Sequence, residues 1–364
     1  MSPSVVVIGG GYGGHKVAKA LEGVADVTLV DPSDALLHNV ASWRALVEPQ
    51  WLDRIFFPYD RLLHHGRFLR DRAVEVDGRE VTLASGTRLH PDYLVLATGS
   101  YYPSPAKWGE ADSATARAGM RASHEALSGA ARVLVVGAGP SGLELAGEIK
   151  TTFPEKRVIV ADRSADVLPG PYDQELREEL RRQLDKLGVE LVLGSPLRGL
   201  PGTDAGTAGP VAVTTEAGEE LTADIWFRCF GVVPATGYLR GELAAARNDA
   251  GYLRVDDQLR VRGQDRVYAI GDISDAERNM AGMAGIQADF LADNLKALIT
   301  GEGEPRQYQI NPPMIAVPLG PEGGAGQFPG GGVVGPEMIS NVKGRDMLVD
   351  KLATQFDAPT PAAR

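Results

Sequence analysis

Cysteine is almost missing from this chain: Cys229 is the only one in 364 residues. A lone cysteine forms no intramolecular disulfide, makes no Cys-x-x-Cys redox pair and builds no Cys-rich metal site. Six scattered histidines show no metal-ligand spacing, so no metal is expected. Long apolar runs are missing too, and no stretch approaches the roughly 20 apolar residues of a membrane span. Positive charge is in short supply. The 37 Lys and Arg against 48 Asp and Glu give a net charge of −11. That balance excludes non-specific binding to nucleic acid and leaves membrane contact at most peripheral. The start, Met1-Ser2-Pro3-Ser4, has neither the basic and apolar regions of a secretory signal nor the glycine at position 2 of a myristoylation site. Together these absences predict a soluble, cytoplasmic protein.

Glycine, by contrast, is plentiful, with 44 residues. At that density a G-x-G-x-x-G match arises by chance roughly 0.6 times in such a chain, so a single match means little. Three occur, beginning at Gly9, Gly137 and Gly330. The third follows Gln327-Phe328-Pro329 and precedes Pro336, and it reads as a loop with no strand before it and no helix after it. The first two have the context of a nucleotide fold. Val5–Ile8 is a β-branched strand, the loop Gly9-Gly10-Gly11-Tyr12-Gly13-Gly14 follows, His15–Leu21 is helical, and Val27–Val30 is a second strand ending on Asp31. The order repeats with Val133–Val136, the loop Gly137-Ala138-Gly139-Pro140-Ser141-Gly142, a helix over Leu143–Lys150, and a strand over Val158–Ala161 ending on Asp162. Each unit also has a tail strand ending in glycine, Asp92 to Gly99 and Asp224 to Gly231. This is an internal duplication of an α/β fold with parallel sheets covered on both faces.

The chemistry follows from the spacing. Gly9 and Gly137 allow the tight turn, Gly11 and Gly139 let backbone N–H groups approach a pyrophosphate, and Gly14 and Gly142 let helix and strand pack closely. The helix N-terminus then faces the phosphate charge. Asp31 and Asp162 are placed for adenosine ribose hydroxyls, against the plainer reading of exposed strand ends. Arg163 beside Asp162 would welcome a 2′-phosphate, while Asp162 itself repels one, so NADH is expected over NADPH. Two nucleotide folds predict two nucleotides, FAD and NAD(P)H, with hydride passing between them. Further along, the pattern predicts a helix over Gln174–Leu187 stopped by Gly188, a strand near Tyr252–Val255, a long helix over Gly282–Ile299, and a frayed tail at Pro359-Thr360-Pro361.

Gly9–Gly14, Ala97-Thr98-Gly99, Gly137–Glu144 and Ala269-Ile270-Gly271-Asp272 resemble the two-dinucleotide-binding-domain flavoproteins of the pyridine nucleotide-disulfide oxidoreductase superfamily. His38-Asn39-Val40-Ala41 with Arg44, Val47 and Glu48, together with Gly147–Thr151 and Pro154-Glu155-Lys156, is similar to the apoptosis-inducing-factor-like ferroptosis suppressor branch, which is related to the type II NADH:quinone reductases. The resemblance runs to about Leu348. It implies two Rossmann-like domains and a small C-terminal α+β domain. The FAD domain is split over residues 1–115 and 246–302, NAD(P)H binds at 116–245, and 303–364 form the C-terminal domain and tail. It also implies a reductase of quinones. Carried over residue by residue, it places Arg44 and the backbone of Ala73 against FAD, Ala97-Thr98-Gly99 beside it, Gly271 and Asp272 on its ribityl chain, and the helix start around Ala284 at the flavin edge.

For Glu144 two readings stand. One is a proton relay to the acceptor, as the resemblance implies; the other is a carboxylate favoured at a helix N-terminus. His38 is either beside the isoalloxazine or an ordinary packed histidine, and Cys229 reads as structural. The chain also departs from the resemblance. Ser2 removes a lipid anchor, Arg345–Phe356 lacks a clear membrane helix, and Ile273 stands where cysteine is common. The run Pro321–Gly335 lies where an acceptor pocket would be walled and reads as a mobile lid shaped for a different acceptor. Competing functions are reduction of another acceptor, a ferredoxin-like protein or a biosynthetic intermediate, and NADH sensing by an interaction protein.

Overall fold

A computed structural model describes residues 2–108 and 112–358. The anticipated tail at Pro359-Thr360-Pro361 lies outside them. Two parallel sheets organise the chain. The first has five strands in the order Val267–Ala269, Tyr93–Leu96, Ser4–Ile8, Asp26–Asp31, Arg67–Arg70. The second has four, in the order Val189–Leu193, Arg157–Asp162, Arg132–Val136, Ile225–Arg228. In both, the strand before the glycine loop lies centrally, between the strand that ends on aspartate and the tail strand. Ile8 is in register with Val30 and Leu96; Val136 is in register with Ala161 and Arg228. The reason is local. Val5, Val6, Val7 and Ile8 are 0–4% exposed, and a β-branched run buried on both faces suits a parallel sheet between helices.

The first sheet draws strands from both sides of the second. The chain crosses between them on a short antiparallel ribbon in which Ser100 pairs with Pro234 and Tyr101 with Val233. Both chain crossings into the second sheet therefore lie side by side at one place. Beyond the first sheet, helix Ala281–Thr300 packs on helix Gly14–Leu21 and ends at Gly301 in the left-handed region.

Several sequence expectations change. Tyr252–Val255 is not a strand; Leu253 and Val255 make only isolated bridges. The run Pro321–Gly335 is not a lid. It supplies two strands of a three-stranded antiparallel sheet, Ile315–Pro318, Gly324–Phe328 and Gly332–Val334, packed on helices Pro140–Thr152 and Gln174–Lys186. Glycine is demanded there by close approach, since a Cβ on Gly324 would lie 2.3 Å from the Val317 carbonyl. The third glycine match thus has a strand before it and a short helix, Pro336–Ile339, after it. Gly330 sits at the turn of an antiparallel hairpin, which is not the parallel crossover that a nucleotide loop requires.

Candidate functional site: a cleft between two glycine loops

The two loops share their three glycine positions and their aspartate contacts, although the helix begins at Gly14 in the first and already at Pro140 in the second. Gly9 and Gly137 have φ of +98° and +116°, a conformation open to glycine and strained for other residues. A Cβ on Gly14 would lie 1.8 Å from the Gly9 carbonyl, and one on Gly142 would lie 1.9 Å from that of Gly137. These third glycines let the helix close on the strand. Around Gly11 and Gly139 nothing lies within 4 Å of the Cβ position. That open face is where a pyrophosphate fits against backbone N–H groups. Asp31 accepts from the N–H of Gly10 at 2.7 Å and Ser33 at 2.8 Å. Asp162 accepts from the N–H of Ala138 at 2.6 Å and Ser164 at 2.7 Å. Each carboxylate thus ties its loop to the end of the second strand. Cys229 stands where Ala97 stands in the first unit: their N–H groups donate to Val136 and Ile8, both at 2.8 Å. Burial pushes the Cys229 thiol far up, so it stays protonated.

A cleft of about 400 Å³ joins the loops, within the range of small-molecule sites. One end carries Gly9, Gly11, Tyr12, Gly13 and Asp31; the middle carries Ala97, Thr98, Gly99, Gly271, Asp272 and Ala284; the far wall carries Pro140, Ser141 and Glu144. Helix Ala281–Thr300 begins at this cleft, so its unpaired N–H groups face it. Asp272 accepts from the Ser100 hydroxyl at 2.7 Å, and the Lys107 ammonium lies 4.0 Å from it. Burial pushes the Lys107 ammonium down, partly offset by Asp272. Thr98 spends its hydroxyl on the Ala235 carbonyl at 2.9 Å, locking the ribbon to the cleft. Gly14, Gly137, Gly139, Gly142 and Asp162 stay off the cleft wall, behind or beyond the loops. The donor set fits two dinucleotides: two open glycine turns, two strand-end carboxylates and one helix N-terminus.

Glu144 is buried on the cleft wall and bound by Lys343, whose ammonium donates to Glu144 Oε1 at 2.7 Å. Burial pushes the Glu144 carboxyl up, and Lys343 pulls it part of the way back. Lys343 comes from a π-helical turn, Ser340–Gly344, the kind of irregular turn found often at functional sites.

Three assignments carried by the resemblance do not reach this cleft. Arg44 is 2% exposed and turned away. Its guanidinium forks onto Glu148 at 2.5 and 2.8 Å and donates to the Gly344 carbonyl at 3.0 Å. Its Nε and Nη2 groups are thus engaged inside the protein. Ala73 lies in a small antiparallel sheet off the cleft. The same segment borders the Asp31 end, where the Asp71 N–H donates to the Asp31 carbonyl at 3.1 Å. His38 sits behind Tyr12. The Tyr12 hydroxyl donates to His38 Nδ1 at 3.0 Å while accepting from the Val40 N–H, and His38 Nε2–H donates to the Met347 carbonyl at 2.6 Å. Burial pushes the imidazole down to about 4, so it is neutral with both nitrogens used. His38 anchors the C-terminal segment to the first loop and lines a smaller opening beside the cleft rather than the cleft itself.

Among the described residues no cluster of three or more His, Cys, Asp or Glu could hold a metal ion, and no helix is long and apolar enough to cross a membrane.

The family pattern "Pyridine nucleotide-disulphide oxidoreductase" matches residues 3–290. Curated relatives include ferroptosis suppressor protein 1 of Taeniopygia guttata, 32% identical over 96% of this chain and 95% of the relative. The human ferroptosis suppressor protein 1 is 32% identical over 95% and 93%. Apoptosis-inducing factor homolog B of Dictyostelium discoideum is 27% identical over 98% and 97%. Among solved structures, NDH2 from Plasmodium falciparum in complex with NADH superposes with a TM-score of 0.75 at 13% identity, covering 98% of this chain and 97% of that one. The water-forming NADH oxidase from Lactobacillus brevis bound to NADH does so with a TM-score of 0.69 at 21% identity, covering 89% and 75%. At those identities the structures speak for the fold alone. The doubled glycine fold and the match over most of its length agree: the chain belongs to the pyridine nucleotide-disulphide oxidoreductase family and is an NAD(P)H-dependent flavoprotein oxidoreductase.

Proposed function

We propose that this protein is an NAD(P)H:quinone oxidoreductase that holds FAD on the first glycine loop and NADH on the second. One observation carries the reading: a single cleft runs from Gly11 and Asp31, past Asp272, to Pro140, Ser141 and Glu144 of the second loop. The reactive ends of two nucleotides would meet there. Bound FAD would supply the two-electron chemistry between NADH and the acceptor. The residues do the rest. Asp31 and the Gly9–Gly14 turn hold one adenosine and its pyrophosphate. Asp272, set by Ser100 and Lys107, holds a polyol chain through its carboxylate. The N-terminus of helix Ala281–Thr300 favours negative charge on the reduced group.

Quinone reduction by NADH consumes one proton beyond the transferred hydride: NADH + H⁺ + quinone give NAD⁺ + quinol. The buried Glu144–Lys343 pair is placed to hold that proton on the cleft wall. A quinone is favoured as acceptor because one cysteine leaves no intramolecular disulfide for the electrons. A second opening of about 150 Å³, walled by Tyr12, His38, Gly282, Ile286 and Leu348, shares Tyr12, Val40 and Ala281 with the cleft and offers the acceptor a separate approach. Asp162, fixed by two backbone donors, favours NADH over NADPH.

Anaerobic addition of NADH to the flavin-loaded protein should bleach the flavin within seconds, and a soluble quinone should restore its colour. Failure to bleach would remove the electron-transfer reading. Bleaching without recovery on any quinone would remove the quinone alone.

A further inference from the structure

We propose that Arg44 and Glu148 are positioning residues: a buried strut that holds Lys343 on Glu144. The inference rests on the reading of Glu144 and Lys343 as the proton-holding pair. Glu144 and Glu148 lie four residues apart on helix Pro140–Thr152, hence on one face and one turn apart. They are two buried carboxylates of like charge, each pushed up mainly by burial, and Glu144 pushes Glu148 up further. Each has one cation. Lys343 donates to Glu144 at 2.7 Å, and Arg44 forks onto both oxygens of Glu148.

The two cations are coupled through the backbone. Arg44 donates through the same Nη2 to the carbonyl of Gly344, the residue after Lys343 in the π-helical turn. That turn is pinned elsewhere too: the Ser340 hydroxyl donates to the Pro321 carbonyl at 2.8 Å, and a Cβ on Gly344 would lie 2.7 Å from the same carbonyl. Arg44 therefore joins three separated stretches of chain: its own helix Ser42–Val47, the helix that carries Glu144, and the turn that carries Lys343.

Chemistry explains why an arginine is used. Guanidinium presents directed donors in a plane and saturates a carboxylate with two parallel bonds, whereas ammonium is a point charge on a flexible stem. With both oxygens of Glu148 taken, Lys343 has one carboxylate left to serve. A fully buried ion pair is a poor device for stability and a good one for fixing which partner meets which. The arrangement has that form: the pair specifies register and leaves the functional cation to the cleft.

The test uses the flavin-loaded full chain and the R44M/E148M double variant. It removes the pair as a neutral unit, so no orphan charge remains in the core and the direct electrostatic effect on Glu144 cancels. Infrared difference titration follows the Glu144 carboxyl, assigned by its loss in E144Q. The expected result is a rise of about one pH unit or more in the Glu144 pKa, because its cation has drifted away. Reoxidation by a soluble quinone should slow about tenfold, with bleaching by NADH within about twofold of wild type. R44K, which keeps the charge but loses the fork, should shift the carboxyl in the same direction; it decides the matter if the double variant does not fold. A strut serving stability alone would lower the melting temperature and leave the carboxyl where it was. An unchanged Glu144 titration in a folded variant overturns the proposal. If wild type does not reduce quinones, the functional reading fails, and the infrared titration still decides the strut.

Discussion

The two glycine-loop units share their strand order, their positive-φ first glycine and their aspartate latch, and they differ in what covers them. The first loop is roofed. A Cβ on Gly13 would lie 2.9 Å from Ile270 and 3.2 Å from the Ala284 carbonyl, so helix Ala281–Thr300 closes directly over it. Beside the second loop, at the end of its tail strand, lie Phe230, Val232 and Val233, which are 38%, 37% and 55% exposed. The same backbone physics therefore serves two purposes. At the position of Gly13 the second loop has the half-buried Ser141, capped by the Trp43 indole N–H at 3.0 Å and not by a helix; the helix-roofed loop suits a nucleotide that stays, and the other suits one that comes and goes. On the proposed assignment, covering rather than the glycine pattern separates cofactor from cosubstrate.

The strongest way to break this comparison is to add one methyl group to each unit. In G14A the new carbon would lie 1.8 Å from a backbone carbonyl, and in G142A 1.9 Å. Each costs about 1–3 kcal/mol of strain locally. G14A should purify with at least about tenfold less flavin per chain, read from the ratio of 450 to 280 nm absorbance. G142A should keep its flavin and bind NADH about tenfold or more weakly. Flavin loss in both would show that the two loops do not divide the nucleotides.

A smaller effect is expected from the aspartates. Each accepts two backbone N–H bonds, so an asparagine turns an NH₂ toward one of them, at about 1–3 kcal/mol. D31N should raise the rate of flavin loss on dilution. D162N should leave the flavin in place and reduce the NADH-over-NADPH ratio of kcat/KM by roughly tenfold, about 1.4 kcal/mol. An unaltered ratio would separate Asp162 from nucleotide choice. The smallest effect is expected at a position where the units differ by one buried heavy atom, the sulfur of Cys229. C229A gives the second unit the residue that the first has at Ala97. It should cost no more than about 1 kcal/mol in thermal unfolding and leave turnover within about twofold. A collapse of turnover would put the thiol on the electron path.

Much of this was legible in the sequence because it is local. Strand, loop, helix and terminal aspartate lie within about thirty residues, so hydrophobic period and glycine spacing disclose them. Lys343 was not legible. It meets Glu144 across 199 positions, from a π-helical turn without a sequence signature. Arg44 shows the limit of resemblance: a matching residue at a matching position does not say which way its side chain points. Gly324–Phe328 hid as a strand because glycine-rich segments have low β-propensity, and the close approach that demands glycine there exists only in the fold. One signal was present and missed. Gly78-Arg79 joins the runs Ala73–Asp77 and Glu80–Leu83, and a glycine in so short a connection marks the hairpin they form.

The divided first sheet has a consequence in time. Its edge strand Val267–Ala269 pairs with Tyr93–Leu96, yet it leaves the ribosome roughly 170 residues later, on the order of ten to thirty seconds at ordinary synthesis speeds. During that interval all four strands of the second sheet are made, with its two ends side by side on the Ser100–Tyr101 ribbon, while the sheet Ile315–Val334 that covers its helices is still to come. Gly271, Asp272 and the roofing helix come later still. The nascent chain thus completes the strands of its second sheet before those of its first, and on the proposed assignment the flavin side gains Asp272 and its roofing helix only after that second sheet is made.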